Sequence, residues 1–333
     1  MELFLLWMQL AIAAALILFA ASYMARSADV IAERTGLGHT FVGVVLLATA
    51  TSLPELGTGV SSIRFVGQPD LAFGDAFGSS IFNLLIIGLL DLWWRNGPIL
   101  NQVDKNTAIL AKLGILIIAF SIACLFVHQT FSISDYIFVS PMSLVLLLIF
   151  FLSIYVVYKY DSGESEEEST AAISTSLSKA FLSYGISATV VVAAAVWLAF
   201  VGDSLADDLG WERSFVGTQF LAFSTSLPEL AASFAALRIN APQLAISNVL
   251  GSNLFNMGFI LFMDDLIYTD GSIWAVVEGI HVLTAVFAII MTCIVLVGIT
   301  SRGRARPTKL LTIESALLIF MYIVTSVAIF SFA

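Results

Sequence analysis

Ten predominantly apolar runs, each about as long as a membrane-spanning helix of ~20 residues, govern what this chain can fold into. They lie near 4–25, 39–63, 71–92, 107–127, 135–158, 180–202, 214–237, 242–263, 274–299 and 309–332. In hydrocarbon an unpaired backbone N–H or C=O is costly, and a helix satisfies all of its own. Only 11% of the residues are charged against 59% hydrophobic, whereas a soluble domain is about a quarter charged. The expectation is an all-α membrane protein with ten transmembrane helices. The first run opens with Glu2 rather than a basic segment and lacks a small-residue cleavage site, so it is read as a span and not a signal peptide.

Orientation follows from where lysine and arginine fall, because they accumulate on the cytoplasmic side. With the N-terminus outside, the inner loops receive Arg26, Arg34, Arg95, Lys105, Lys112, Lys159, Lys179, Arg238, Arg302, Arg304, Arg306 and Lys309, and the outer side keeps only Arg64 and Arg213. Both termini are therefore expected outside a plasma or inner membrane. The outer ends gather Asp70, Asp135, Asp203, Asp207, Asp208, Glu212, Asp264, Asp265 and Asp270, read as solvated loop residues. Cys124 and Cys293 sit in different spans without ligand spacing and are expected to be buried thiols.

The segment 41–64, FVGVVLLATATSLPELGTGVSSIR, aligns with 215–238, FVGTQFLAFSTSLPELAASFAALR, at an offset of 174 with half the positions identical. The next span repeats more weakly, GDAFGSSIFNLL from 74 matching SNVLGSNLFNMG from 247 at an offset of 173. Five spans per half is an odd number, so the second half enters the bilayer from the opposite side. The chain then divides into a first repeat, 1–158, a serine-rich acidic linker, 159–179, with Glu164, Glu166, Glu167 and Glu168, and an inverted second repeat, 180–333. Inverted repeats with interrupted helices at matching places point to a secondary transporter with a midplane site.

The interruptions fall in spans two and seven. Proline removes a backbone donor and displaces the carbonyl four residues back, so Pro54 frees the region of Ala50 and Pro228 that of Ser224. Ala48, Thr51, Ser52 and Glu55 share one helix face, and Ala222, Thr225, Ser226 and Glu229 repeat it. In the following spans Asp75, Ser79 and Asn83 form a ladder mirrored by Asn248, Ser252 and Asn256. These groups can all supply oxygen, a set that suits hard cations such as Ca²⁺, Mg²⁺, Na⁺ or Mn²⁺ over zinc or copper. Two carboxylates match one divalent ion, and an ion relieves both their burial and their mutual repulsion. Gly74 and Gly78 have the spacing of close helix packing.

At these residues the chain resembles the calcium/cation antiporter superfamily, most closely its sodium/calcium exchanger branch. The resemblance rests on the doubled Thr-Ser-Leu-Pro-Glu, Thr51–Glu55 and Thr225–Glu229, each followed by a Gly-Ser-Asn-x-x-Asn-like stretch, Gly78–Asn83 and Gly251–Asn256. It implies that Glu55 and Glu229 coordinate a central Ca²⁺ with backbone oxygens of Thr51 and Thr225. Ala48, Ser52 and Ser79, with their mates Ala222, Ser226 and Ser252, would form flanking Na⁺ sites, with Asn83 and Asn256 lining the centre. Spans one and six would slide over the other eight. Asp75 and Ser80 depart from the pattern, where Asn is common, and Asp75 adds a third carboxylate. Asn256 stands where potassium-dependent relatives carry aspartate, which argues against potassium cotransport.

The expected function is Na⁺/Ca²⁺ antiport, with small cations and the lipid bilayer as partners and no nucleic acid, cofactor or catalytic residue. The alternative is a proton antiporter for Ca²⁺ or another divalent cation, although proton-driven relatives tend to carry Gly-Asn-x-x-Glu in place of Ser-Leu-Pro-Glu. An intramembrane aspartyl protease is disfavoured because Ala72 spoils the Gly-x-Gly-Asp pattern ending at Asp75. Sites on inverted repeats favour alternating access over a channel.

Overall fold

The computed structural model describes residues 2–35, 47–104, 107–131, 139–161, 176–238, 240–301 and 311–332. The expected Lys105, Asp135, most of the acidic linker and the 302–309 basic cluster lie outside them. The first half holds α1 (Glu2–Thr35), α2 (Ala48–Thr51), α3 (Leu53–Ser61), α4 (Pro69–Trp93), α5 (Thr107–Phe131) and α6 (Pro141–Asp161). The second holds α7 (Leu177–Leu209), α8 (Arg213–Val216), α9 (Ala222–Thr225), α10 (Leu227–Arg238), α11 (Pro242–Phe255), α12 (Leu261–Ile267), α13 (Ile273–Val276), α14 (Ile280–Thr300) and α15 (Ile313–Phe332). Wider π-helical turns occupy Ser62–Val66, Gly217–Leu221 and Asn256–Ile260. Among the described residues, nine helical runs are long and apolar enough to cross a bilayer. The second expected span is described from residue 47 onward.

Burial ranks the spans. The most apolar stretch of α4 is 83% buried and that of α11–α12 is 89%, against 22% for α1 and α15, so the third and eighth spans form the centre. Apolar burial gives little driving force between helices in lipid; close van der Waals packing and small residues hold them together. Here α4 meets the π turn Gly217–Leu221 backbone to backbone. A Cβ on Gly78 would lie 2.4 Å from the Thr218 carbonyl oxygen, and one on Gly217 would lie 2.6 Å from that of Leu71. The packing expected of Gly74 and Gly78 is thus seen, and it brings Asp75 beside Thr225.

Helices α1 and α7 pack along each other outside this centre, sharing Ala13, Ile17, Ala194, Ala195 and Leu198. Helix α7 also rests on α3, where Ala195 approaches Gly57, and Ala50 of α2 packs with Ala21, Met24 and Val191. The outer face of α1 shows Phe4, Met8, Ile12, Phe19 and Tyr23 to the surroundings, as a lipid-facing helix would.

Several expectations are corrected. The ninth run breaks at Val277–Gly279 before α14, because Glu278 is held at the rim: its N–H donates to Asp70 at 2.7 Å and its carboxylate accepts from Ser214 at 2.8 Å. The sixth run extends to Leu177–Leu209, stopped by Gly210 in the left-handed region at φ 64°. Cys124 is buried as expected, but Cys293 is exposed on the lipid-facing side of α14. Asp264 and Asp265 are not solvated loop residues; both are fully buried in α12. Asp203 and Asp207 do lie at the rim, binding Arg213 at 2.8 and 2.7 Å.

Asp265 shows why its burial is tolerated. Its Oδ1 accepts from Ile273 N at 3.2 Å and its Oδ2 from Ser140 N at 2.7 Å, tying the starts of α13 and α6 to the end of α12. Asp91 does the same in the first half, accepting from Ile99 N at 2.9 Å and Thr312 N at 3.1 Å at the foot of α15. Asp91 and Asp265 are 174 residues apart, whereas Asn83 and Asn256 are 173 apart, so the π turn Asn256–Ile260 inserts one residue into the second repeat.

Gly78→Ala is expected to force the α4 contact apart and lower the thermal unfolding midpoint in detergent, at a cost of about 1–3 kcal/mol for overpacking. Gly114→Ala, buried mid-helix but with nothing within 4 Å of the added Cβ, serves as the control and should leave the midpoint at or above the parent, since alanine is favoured over glycine in a helix by about 1 kcal/mol.

Candidate cation-binding site

Both interrupted helices break in the same way. At Ser52 (φ −91°, ψ 8°) and Ser226 (φ −86°, ψ 4°) the backbone leaves the helical well, and helix resumes with the proline in its first turn, where a missing N–H does no harm. Ser52 N donates to the Ala48 carbonyl at 2.9 Å and Ser226 N to that of Ala222 at 3.1 Å; beyond the break Leu56 N and Leu230 N return to the carbonyls of Ser52 and Ser226. Each break sets a hydroxyl-rich turn just before a glutamate.

The two turns then reach across to each other. Ser52 Oγ donates to Glu229 Oε1 at 3.1 Å, and Ser226 Oγ donates to Glu55 Oε1 at 3.2 Å. Thr51 Oγ1 lies 3.4 Å from Ser252 Oγ, and Thr225 Oγ1 lies 3.4 Å from Ser79 Oγ. Each half thus completes the other's carboxylate. Both glutamates are buried, 1% and 0% exposed. Glu55 is repelled by Glu229 and by Asp75, and none of the ion pairs among the described residues offsets the three charges.

What is left over is mostly oxygen, together with the Asn256 amide nitrogen. Glu55 Oε2, Glu229 Oε2, Asn83 Oδ1 and Asn256 Oδ1 are all buried without a hydrogen-bond partner. They come in repeat-related pairs, and unpartnered buried oxygens are the groups a hard cation takes as ligands. Among the described residues no three His, Cys, Asp or Glu side chains gather as a metal cage. An ion here would therefore draw on hydroxyls, amides and carbonyls as well.

Of the sequence-expected residues, hydrogen bonds link Thr51, Ser52, Ser79, Asp75, Thr225, Ser226 and Ser252 to the two glutamates or to one another, whereas Asn83 bonds to Asn253. Asp75 has its oxygens occupied: Oδ1 accepts from Thr225 at 2.8 Å and Ser79 at 3.4 Å, and Oδ2 from Thr58. Its mate Asn248 turns instead to Ser233, donating at 3.3 Å. An acid needs donors and an amide can give one, so the exchange of Asp for Asn swaps the partner. Ser252 donates to Glu229 at 3.2 Å, while its mate Ser79 serves Asp75.

Three residues here were not singled out from the sequence. Thr58 has Ala232 as its mate, so a search for repeated residues passes over it. Asn253 accepts from Asn83 at 2.9 Å and donates to the Ser80 carbonyl at 3.1 Å, and its place inside GSN was the available signal. Asp264 was assigned to a loop because it lies beside a second aspartate at the end of an apolar run.

Buried carboxylates, hydroxyls and amides where two broken helices meet, in a helical bundle of two repeats, have the character of a membrane cation transporter. The chain belongs to the sodium/calcium exchanger protein family, whose model matches residues 5–159 and 179–331. It is 28% identical over 260 residues to the inner membrane protein YrbG of Escherichia coli, covering 78% of each chain. It is 24% identical over 277 residues to the sodium/calcium exchanger MaX1 of Methanosarcina acetivorans, covering 74% of this chain and 78% of that one. In fold it matches the sodium-calcium exchanger NCX_Mj (TM-score 0.63, 23% identity, 98% and 99% covered) and native YfkE (TM-score 0.66, 17% identity, 97% and 92% covered).

Thr58→Val removes a donor from a buried carboxylate and is expected to cost about 1–3 kcal/mol, read as a lower thermal midpoint. Thr58→Ser should restore most of it.

Proposed function

We propose that this chain exchanges Na⁺ for Ca²⁺ by alternating access around Glu55 and Glu229. The observation that carries the reading is the repeat-related set of four buried, unpartnered oxygens on Glu55, Glu229, Asn83 and Asn256. In this reading the two carboxylates bind Ca²⁺ with backbone oxygens of Thr51 and Thr225, and Asn83 and Asn256 line the centre. Ala48, Ser52 and Ser79, with Ala222, Ser226 and Ser252, hold Na⁺ on either side. Because Ser52 and Ser226 already touch the glutamates, Na⁺ at the serines and Ca²⁺ between the carboxylates draw on the same oxygens. Occupancy by one ion then weakens the other, as an antiporter requires. Asp75, held by three hydroxyls, tunes the local charge.

The packing of α1 and α7 on each other, on α3 and on the α2 turn suits a pair that moves over the remaining helices. The same proposal takes 1–158 and 180–333 as the two repeats, joined by the 159–179 linker, with both termini on the outer face. On that face the two outer arginines are both engaged, Arg213 by aspartates and Arg64 by the Ile267 carbonyl and Thr269 hydroxyl at 3.4 Å.

In proteoliposomes, an imposed Na⁺ gradient is expected to drive ⁴⁵Ca²⁺ uptake and an equal pH gradient to drive little. Glu55→Gln and Glu229→Gln should each abolish it; Ser52→Ala and Ser226→Ala should raise the Na⁺ concentration needed for half-maximal exchange several-fold. Normal Ca²⁺ flux in either glutamine variant, or flux driven by protons alone, would defeat the reading.

Orientation is tested separately with single cysteines in a Cys-free background. Labels at residues 2 and 332 should react with an impermeant maleimide in intact cells, and one at 239 only after permeabilisation.

A further inference from the structure

One buried carboxylate takes no part in the exchange as proposed. Asp264 is 0% exposed, and neither of its oxygens has a hydrogen-bond partner. No ion pair among the described residues reaches it, and Arg64 is directed to Ile267 and Thr269 instead. A proton would remove the buried charge but still leave an O–H without an acceptor and a bare second oxygen, both costly in a buried place. Interior carboxylates are neutralised by a proton, paired or bound to metal.

The carboxylate faces α3. A Cβ at Gly59 would lie 2.6 Å from Asp264 Oδ1, so glycine leaves the room that the carboxylate uses. The residue before it, Thr58, donates to Asp75 Oδ2. Asp264 and Asp75 therefore border the same turn of α3, and Asp75 and Asp265 both repel a charge on Asp264. The inserted residue of the π turn Asn256–Ile260 explains how Asp264 comes to point there. The structural mate of Asp91 is Asp265, which leaves Asp264 in register with the apolar Leu90, so the first half has no equivalent.

We propose that Asp264 and Asp75, with the Thr58 hydroxyl, hold an additional Ca²⁺ beside the exchange site, displaced from Glu55 and Glu229 toward the face that carries Tyr268. Two carboxylates match the charge of one divalent ion, and the donors are all hard oxygen. Among the described residues no third acidic, His or Cys side chain joins them, so water completes the shell. Ions entering from the Tyr268 face would meet this pair before the glutamates.

The test is equilibrium ⁴⁵Ca²⁺ binding to the purified full chain in nanodiscs, with thermal midpoints as the folding check. The parent is expected to bind two Ca²⁺ per chain and Asp264→Asn one. Asp75→Asn, which installs the residue that the second repeat carries at Asn248, should give the same loss and covers the case in which Asp264→Asn does not fold. The Glu55→Gln/Glu229→Gln double variant separates this site from the exchange reading: it should keep one Ca²⁺, and adding Asp264→Asn should remove it. Equal counts in the parent and in a folded Asp264→Asn or Asp75→Asn variant would overturn the proposal.

Discussion

A carboxylate deep in a bilayer must find positive charge or hydrogen-bond donors, and this molecule meets that demand by crossing its two halves. Ser52 serves Glu229 and Ser226 serves Glu55, so each glutamate takes a donor from the opposite repeat, and Glu229 a second from Ser252 of its own. The rest of the architecture keeps those turns within about 3 Å of each other, the range of a hydrogen bond. The prolines break the helices, the Gly78–Thr218 contact sets their separation, and Asp91 and Asp265 hold the ends of the central spans to the starts of α15 and α6.

The symmetry is close enough to build a site and broken where it matters for charge. Asp75 with Thr58 faces Asn248 with Ala232, so one flank carries an extra negative charge bound by hydroxyls, and the other a neutral amide. The two halves are thus unequal in electrostatics while nearly equal in backbone.

Much of this was legible in the chain. Proline and glutamate inside apolar runs break two rules at once, and seeing them twice at one offset exposed the repeat, the broken helices and the facing pair. The misreadings share a physical cause. Glu278 lies in an apolar run, but its charge is held at the rim by Ser214, so the helix starts later than hydropathy suggests. Asp264 and Asp265 lie at the end of a run, where hydropathy alone makes acidic residues look solvated; only the backbone donors of Ile273 and Ser140 reveal that Asp265 is an internal brace. A π turn has no clear sequence mark, so the one-residue shift beyond Asn256 was visible only as a repeat offset that fails to hold.

The 34 residues of α1 and 33 of α7 amount to helices of about 50 Å, against a hydrocarbon layer of ~30 Å. Such a mismatch is absorbed by tilt or by deformation of the surrounding lipid. Membrane thickness then acts as a mechanical load on this pair: thinner bilayers favour a steeper lean and thicker ones a more upright pose. Acyl-chain length thereby becomes a physical variable in the work of these two helices.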